Sequence, residues 1–335
     1  MNTPIVYVAL APELLRELEL DQELLRLRGL AEVERWEGPG RPSAEAVAAA
    51  LGRAQVLVTG WGVPRLAPLA DWTPASSPLR LVVHSAGTVK QLLPREALER
   101  GLLVSHANEA LAEAVAEFTL GAIIVAWRNA FASQERYRAG KGRVPLASQR
   151  EIRGSTIGII GASAIGRRLM QLLRPLGPRL LLADPYATPA VAAAHGAELV
   201  TLDELLRASE IVSLHAPVTA ETLGMLGARE FAAMRTGALF VNTARGRLID
   251  HDALLAELQS GRISALLDVT DPTEPLPPDS PFFKLENCVL LPHIAGASLE
   301  ARRRQGRITV DEILRFLGGE PLQHQVTRER WDTMA

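Results

Sequence analysis

The chain has 335 residues, a formal net charge of −2 and 47% hydrophobic residues. Its length predicts two domains of about 100–200 residues each. The near-neutral charge argues against nucleic-acid binding, which normally needs a basic face. The one cysteine, Cys288, excludes a disulfide within the chain, and this count is typical of a reduced, cytoplasmic setting.

Membrane insertion is not expected either. The N-terminus has no basic segment followed by an apolar stretch, so we predict no signal peptide. The most apolar helical stretch, at 120–127, is far shorter than the roughly 20 residues that a membrane span needs. We expect it to be part of a buried helix.

The first third of the chain alternates short apolar runs with helical patterns. Strands are predicted at 5–10, 55–59, 81–84 and 102–105, and helices at 12–28, 45–51 and 95–100. Strands that alternate with helices indicate βα units and a parallel sheet.

A long helical pattern at 109–128 leads to a polar loop at 138–150, after which a second βα series begins. Its predicted strands are 156–160, 180–183, 211–214, 238–242, 264–268 and 289–291. Six strands with helices between them are typical of a doubly wound dinucleotide fold. A final helix at 298–317 ends at Gly318 and Gly319, a good C-terminal stop.

The first strand of this second series runs into a glycine turn and then a helix. Gly161 would make the turn, Gly166 would let helix and strand pack closely, and Ser163 stands where the middle glycine of Gly-x-Gly-x-x-Gly is usual. Backbone N–H groups at the helix start suit a pyrophosphate. Asp184 ends the next strand, where a carboxylate accepts the ribose hydroxyls of NAD and repels the 2′-phosphate of NADP. We therefore predict an NAD site.

Three short motifs follow at predicted strand ends, where ligands of doubly wound sheets bind. They are Asn-Thr-Ala-Arg-Gly at 242–246, the loop from Asp268 to Glu274, and Pro-His-Ile-Ala-Gly at 292–296. With these motifs the sequence resembles the D-isomer-specific 2-hydroxyacid dehydrogenase family, which includes phosphoglycerate dehydrogenases and glyoxylate/hydroxypyruvate reductases. The resemblance is strong from about residue 84 to 317.

The resemblance implies Arg245, Glu274 and His293 as the catalytic residues. Reduction of a 2-oxo acid adds hydride to the carbonyl carbon, and the carbonyl oxygen then needs a proton. An arginine offers forked donors to the substrate carboxylate and carbonyl, and a histidine can donate the proton. A carboxylate beside the imidazole favours its charged form and fixes its tautomer.

One spacing departs from the family pattern. The distance from Asp268 to Glu274 is one residue longer than usual, whereas that from Glu274 to His293 is normal. We place the extra residue in 270–273, and Asp271 remains the alternative partner of the histidine.

Other positions carry over from the family as ligand contacts. Backbone groups at Ala86 and Gly87 would hold the substrate carboxylate together with Arg245 and His293, and Lys90 would either reach the substrate or face solvent. No metal site is expected. The implied cofactor contacts are Gly161, Ser163, Ala164, Ile165, Gly166, Asp184, His215, Pro217, Thr222, Thr243, Ala244, Asp268 and Gly296.

The resemblance also implies the organisation of the chain. We expect two α/β domains, Rossmann-like and flavodoxin-like, with doubly wound parallel sheets and the active-site cleft between them. The substrate domain would be discontinuous, at 1–104 plus 297–335, and the NAD-binding Rossmann domain would span 105–296. The protein would be a cytoplasmic, NAD-dependent D-2-hydroxyacid dehydrogenase and a homodimer through the cofactor domains.

Two alternatives remain open at this stage. One is a non-enzymatic NAD(H)-sensing regulator on the same fold, and the other is a different NAD enzyme, such as a phosphite-type dehydrogenase or a hydrolase with a built-in NAD.

Overall fold

The computed structural model describes residues 3–334 of the chain. The chain divides into two compact units: Met1–Leu111 with Ser298–Ala335, here called the first unit, and Ala112–Ala297, the second unit. The expected boundaries, after residues 104 and 296, fall close to these divisions. The first division lies further along the chain because the helix Glu109–Trp127 begins within the first unit.

Twelve strands occur in the described residues. In chain order, β1 to β12 are Ile5–Ala9, Glu32–Arg35, Val56–Thr59, Leu81–His84, Leu103–His106, Thr156–Ile160, Arg179–Ala183, Ala197–Leu199, Ile211–Leu214, Leu239–Asn242, Ser264–Leu267 and Cys288–Leu290.

Thirteen α-helices occur in the same part of the chain. In chain order, α1 to α13 are Pro12–Glu17, Leu20–Leu24, Ala44–Leu51, Arg95–Glu99, Glu109–Trp127, Ala130–Arg138, Ala164–Leu173, Pro189–Ala194, Leu202–Ala208, Ala228–Ala233, His251–Gln259, Leu299–Leu317 and Arg328–Thr333.

The first unit has a five-stranded sheet in the order β2-β1-β3-β4-β5, with parallel neighbours throughout. This is the flavodoxin-like order. Apolar residues of α1, α2 and α12 cover one face of the sheet, and those of α3 and α4 cover the other. The inner strands β1, β3 and β4 are buried on both faces, which explains why they read as continuous apolar runs rather than alternating ones.

The second unit has a seven-stranded parallel sheet in the order β12-β11-β10-β9-β6-β7-β8. Counted from β6, this is the Rossmann order with one extra strand at the β12 edge. Helices α5, α7 and α8 pack on one face, and α9, α10 and α11 pack on the other. The strand order reverses between β6 and β9, and ligands of such sheets bind at that point, outside the carboxyl ends of the strands.

Several elements differ from the sequence-based expectation. The helix expected at 12–28 is broken, because Glu19 adopts a left-handed conformation with φ 47° between α1 and α2. Asn129, at φ 50°, similarly separates α5 from α6, a helix that was not predicted. The edge strands β2 and β8 were missed because they are short and partly exposed, so their sequences lack an apolar run.

The long helix α5 is also more apolar over its full length than residues 120–127 suggested. By length and composition alone its 19 residues could cross a membrane, a test that core helices of globular proteins also pass. Ala116, Ile123 and Trp127 pack into the core of the second unit, and Glu113 pairs with Arg168 of α7 at 2.7 Å. The helix is thus an integral part of that unit.

Candidate active site

The turn between β6 and α7 can be made only with glycine at two positions. Gly161 has φ +98°, and a Cβ there would lie 2.8 Å from the backbone N of Ala216. A Cβ on Gly166 would lie 2.2 Å from the carbonyl oxygen of Gly161. Both clashes are with backbone, which cannot turn away as a side chain can. The two glycines therefore fix a tight approach of the helix start to the strand.

Ser163 caps the helix that follows this turn. Its hydroxyl accepts a hydrogen bond from the Gly166 N–H at 3.2 Å. The N–H groups of Ala164 and Ile165 belong to the first turn, whose donors have no partner within the helix. These N–H groups and the positive end of the helix dipole suit a pyrophosphate, so the serine is compatible with a dinucleotide.

Asp184 lies at the end of β7, next to the glycine turn. Its carboxylate accepts hydrogen bonds from the backbone N–H of Ala162 at 2.7 Å and of Tyr186 at 2.8 Å. A carboxylate has about four lone-pair sites, so it retains capacity for hydroxyl donors. The sheet thus places an acid beside the pyrophosphate turn, as ribose binding requires.

The loop after β9 begins with His215, which was expected at the cofactor but is buried. The His215 ring is 3% exposed and lies beneath the glycine turn, with Nε2 2.8 Å from the Ser213 hydroxyl. Burial lowers the pKa of His215 to about 3, so the ring is neutral. Its side chain supports the turn from below instead of lining a ligand surface. Thr222 closes the loop by donating to the Pro217 carbonyl at 2.6 Å.

The turn after β10 carries Arg245, the arginine of the motif at 242–246. Asn242 is fully buried; its side chain accepts from the Ala244 N–H and donates to the Arg245 carbonyl, both at 3.0 Å. Thr243 is held from α5, because its hydroxyl lies 2.9 Å from that of Thr119. Burial lowers the pKa of Arg245, and the nearby carboxylate of Glu274 raises it; a guanidinium stays charged in either case.

Gly246 brings the loop at 270–274 against this turn. A Cβ on Gly246 would lie 2.2 Å from the carbonyl carbon and oxygen of Thr270. The loop is closed on itself: the Thr270 hydroxyl donates to the Thr273 carbonyl at 2.7 Å, and its N–H donates to Glu274 Oε1 at 2.9 Å. The segment in which we expected the extra residue therefore forms a compact turn before Glu274.

Glu274 and His293 form the central pair of the site. Glu274 Oε2 lies 2.7 Å from His293 Nδ1, and the two side chains are 36% and 51% exposed. The bond leaves Nε2 as the ring nitrogen free to face a substrate. The structure thus pairs the histidine with Glu274, and Asp271, the alternative partner, does not make this contact.

Asp268 holds the loop that carries the histidine. Its buried carboxylate accepts from the N–H groups of Ile294 at 2.8 Å and Ala295 at 2.9 Å, and its carbonyl accepts from the His293 N–H at 2.9 Å. His293 has φ 55°, a conformation that costs a non-glycine residue about 1 kcal/mol or more. The hydrogen bonds of Asp268 stabilise this backbone, a positioning role that the sequence did not reveal.

In the first unit, the predicted substrate loop follows β4. Ala86 and Gly87 are buried, and the Ser85 N–H donates to the Thr59 carbonyl at 2.7 Å. Lys90, whose role the sequence left open, donates to the carbonyl of Met334 near the C-terminus.

Sequence reasoning missed the supporting residues Asn242, Thr119, Gly246 and Thr270. Gly246 directly follows Arg245 in the motif at 242–246, so its position was a usable signal. Asn242 opens the motif at 242–246, so it also could have been singled out. The Thr119 contact joins residues 124 positions apart, and Thr270 is an ordinary polar residue in a loop, so a single sequence gives no cue to either.

Comparison with known proteins shows which family the chain belongs to. Residues 120–295 match the family model described as D-isomer specific 2-hydroxyacid dehydrogenase, NAD binding domain. A glyoxylate reductase of Korarchaeum cryptofilum is 32% identical over 313 residues, 90% of this chain and 93% of that protein. A D-3-phosphoglycerate dehydrogenase of Archaeoglobus fulgidus is 31% identical over 258 residues, 77% of this chain and 49% of that protein.

Among solved structures, the holo D-mandelate dehydrogenase of Rhodotorula graminis matches with a TM-score of 0.81 and 27% identity, covering 97% of this chain and 98% of that one. The family model, the relatives and the fold all agree. The chain therefore belongs to the D-isomer-specific 2-hydroxyacid dehydrogenase family and is an NAD-dependent oxidoreductase of 2-hydroxy acids.

Proposed function

We propose that this protein interconverts a small 2-oxo acid and the corresponding D-2-hydroxy acid, with Arg245, Glu274 and His293 as its catalytic residues. The observation that carries the proposal is the 2.7 Å contact between Glu274 and His293. It lies in the same unit as Arg245 and the glycine turn, and at the carboxyl ends of neighbouring strands.

The nicotinamide supplies the hydride for reduction of the 2-oxo acid and accepts it in oxidation. His293 donates a proton to the carbonyl oxygen during reduction and removes it from the hydroxyl during oxidation. Glu274, hydrogen-bonded to Nδ1, fixes the orientation and the tautomer of the ring, so that Nε2 would face the substrate. The hydride and the proton together convert the 2-oxo group into the 2-hydroxy group.

Arg245 would bind the substrate carboxylate and polarise the carbonyl. Its planar guanidinium can give two parallel hydrogen bonds to a carboxylate. The N–H groups near Ala86 and Gly87 would hold the same carboxylate from the first unit. We assign the first unit to the substrate and the second unit to the cofactor.

The second unit fits the dinucleotide through its own residues. The N–H groups of Ala164 and Ile165 would bind the pyrophosphate, and Asp184 would accept the adenosine ribose hydroxyls and so favour NAD over NADP. The remaining contacts that we propose, by side chain or backbone, are Gly161, Ser163, Gly166, Pro217, Thr222, Thr243, Ala244, Asp268 and Gly296.

The substrate can be identified by measuring NADH oxidation with glyoxylate, hydroxypyruvate, pyruvate and bulkier 2-oxo acids. Because two of the relatives compared above are a glyoxylate reductase and a D-mandelate dehydrogenase, both small and aromatic 2-oxo acids belong in the screen. Turnover of at least one acid supports the proposal. Tight NADH binding without turnover of any acid would instead identify an NAD(H)-sensing regulator.

We further propose a cytoplasmic homodimer that forms through the second unit. Only 44% of the most apolar stretch of α5 is buried. Apolar side chains in or near α5 and α6 are exposed, namely Ile124, Val125, Tyr137 and Leu146. A second copy would cover these apolar groups. Light scattering measures the mass: a dimer that Val125→Glu converts to a monomer supports this face, and a wild-type monomer contradicts it.

A further inference from the structure

A hydrogen bond joins two exposed loops at the carboxyl edge of the seven-stranded sheet. The Tyr186 hydroxyl donates to Glu221 Oε2 at 3.1 Å. Tyr186 follows β7 and Glu221 follows β9, and β6 lies between these strands. The contact therefore spans from one side of the strand that carries the glycine turn to the other.

Both loops are held by bonds of their own. The Tyr186 N–H donates to Asp184 Oδ1 at 2.8 Å, and the Ala187 N–H donates to the Asp184 carbonyl at 3.2 Å. On the other side, the Thr222 hydroxyl accepts from the Thr219 N–H at 2.8 Å. Glu221 thus sits on a closed turn, and Tyr186 sits on a turn built around Asp184.

Two carboxylates act on the one phenol. Glu221 raises the pKa of Tyr186, mainly by accepting its hydrogen bond, and the charge of Asp184 raises it further. The phenol therefore stays protonated and remains a donor. Tyr186 thus donates hydrogen bonds to both carboxylates: its backbone N–H donates to Asp184, and its hydroxyl donates to Glu221.

We propose that Glu221, held in place by Tyr186, is a second determinant of NAD over NADP specificity beside Asp184. The pyrophosphate turn and Asp184 fix where the adenosine ribose would lie, and the Tyr186–Glu221 pair borders that place from the opposite loop. A 2′-phosphate would meet negative charge from two loops instead of one.

The expected effect follows from charge. A 2′-phosphate carries nearly two negative charges, and an exposed carboxylate nearby repels it over a distance that solvent partly screens. We expect Glu221→Gln to lower the ratio of NADPH to NADH dissociation constants roughly threefold to tenfold. The NADH dissociation constant should itself change less than about twofold, because the ribose hydroxyls keep Asp184.

The test measures the dissociation constants of NADH and NADPH by nicotinamide fluorescence, without substrate, in wild type, Glu221→Gln and Tyr186→Phe. The matched control is Glu286→Gln, an exposed acid just before β12. Strand β12 lies five strand spacings from β7, roughly 24 Å at about 4.8 Å per spacing. This exceeds two Debye lengths at physiological salt, so the control removes one charge from the protein but none from the site.

Salt separates a charge effect from a structural one. Raising sodium chloride from about 0.02 M to 0.5 M should shrink the difference between wild type and Glu221→Gln, because the repulsion is screened. Tyr186→Phe keeps the Glu221 carboxylate but removes the hydrogen bond that holds it. The ratio of NADPH to NADH dissociation constants in this variant should therefore fall between the ratios of wild type and Glu221→Gln.

Three results would overturn the proposal. The first is a Glu221→Gln ratio equal to that of Glu286→Gln. The second is a difference that salt leaves unchanged, and the third is a larger effect from Tyr186→Phe than from Glu221→Gln, which would make the ring the determinant. Because binding is measured without substrate, these results do not depend on the proposed catalytic roles.

Discussion

Replacing Gly246 by alanine should separate Glu274 from His293, the proposed catalytic pair, while leaving the fold and the proposed cofactor site in place. The added methyl would lie 2.2 Å from the carbonyl carbon and oxygen of Thr270 and 2.7 Å from the backbone N of Asp271. All three atoms are backbone, so no side chain can rotate out of the way. The loop that carries Glu274 has to retreat from the turn that carries Arg245.

The size of the effect follows from these distances. Real Cβ contacts essentially never fall below 3.0 Å, so the loop must move by roughly 1 Å, a displacement that can cost about 100-fold in rate. If Glu274 moves with it, the 2.7 Å contact with His293 stretches beyond the length of a hydrogen bond. We expect kcat/KM on the best 2-oxo acid to fall by about 100-fold.

The assay is steady-state NADH oxidation, with NADH binding by fluorescence and thermal unfolding measured in parallel. The control is Gly52→Ala at the end of α3, where φ is −79° and an added Cβ meets only the carbonyl oxygen of Ala49 at 3.5 Å, an ordinary van der Waals contact. The control should keep wild-type kcat/KM. A Gly246→Ala enzyme that also keeps wild-type kcat/KM would refute the view that this close approach positions Glu274.

Four further substitutions test individual roles. Arg245→Lys keeps the charge but loses the forked geometry, so kcat/KM should fall by about 100-fold or more while NADH binding survives; near-normal turnover would exclude Arg245 as the carboxylate anchor. His293→Gln should lower kcat about 10²–10⁴-fold with an unchanged melting temperature, as expected for loss of a general acid, and a loss that tracks unfolding would point to packing instead. In wild type, kcat/KM for reduction should fall with rising pH and that for oxidation should rise, because one direction needs the charged ring and the other the neutral ring. Glu274→Gln should lower kcat/KM in both directions, since an amide at 2.7 Å from Nδ1 does not fix the tautomer of His293 as a carboxylate does; wild-type kcat/KM would argue against the pairing. Asp184→Ala should weaken NADH more than NADPH, and equal losses in fluorescence titrations would remove this acid from the ribose.

Those parts of the candidate site that lie close together in the chain could be predicted from the sequence, and their roles in binding and catalysis stay predictions. The dinucleotide pattern could be recognised because its strand, glycine turn, helix and second strand follow one another within about 30 residues. It comprises Gly161, Gly166 and Asp184. Arg245 and His293 could be assigned because each lies at a strand end within a short motif. Glu274 stayed aligned with His293 despite the extra residue before it.

The parts that the sequence did not reveal depend on contacts between distant residues or on backbone geometry. Thr119 and Thr243 bond across 124 positions, and Tyr186 and Glu221 bond across 35. Edge strands such as β2 bury little, so they carry no apolar signal. His215 was expected at the cofactor, but burial of the ring beneath the turn becomes visible only when the packing of β9 against β6 is known.

The serine in the glycine turn has a thermodynamic consequence. By capping α7 with its own hydroxyl, Ser163 satisfies one helix donor before any cofactor arrives. The start of the helix is then already ordered, so binding has less chain entropy to remove and the free helix end frays less. A glycine at this position would leave that donor for the ligand and bring a more mobile helix start, shifting part of the cost of ordering from folding to binding.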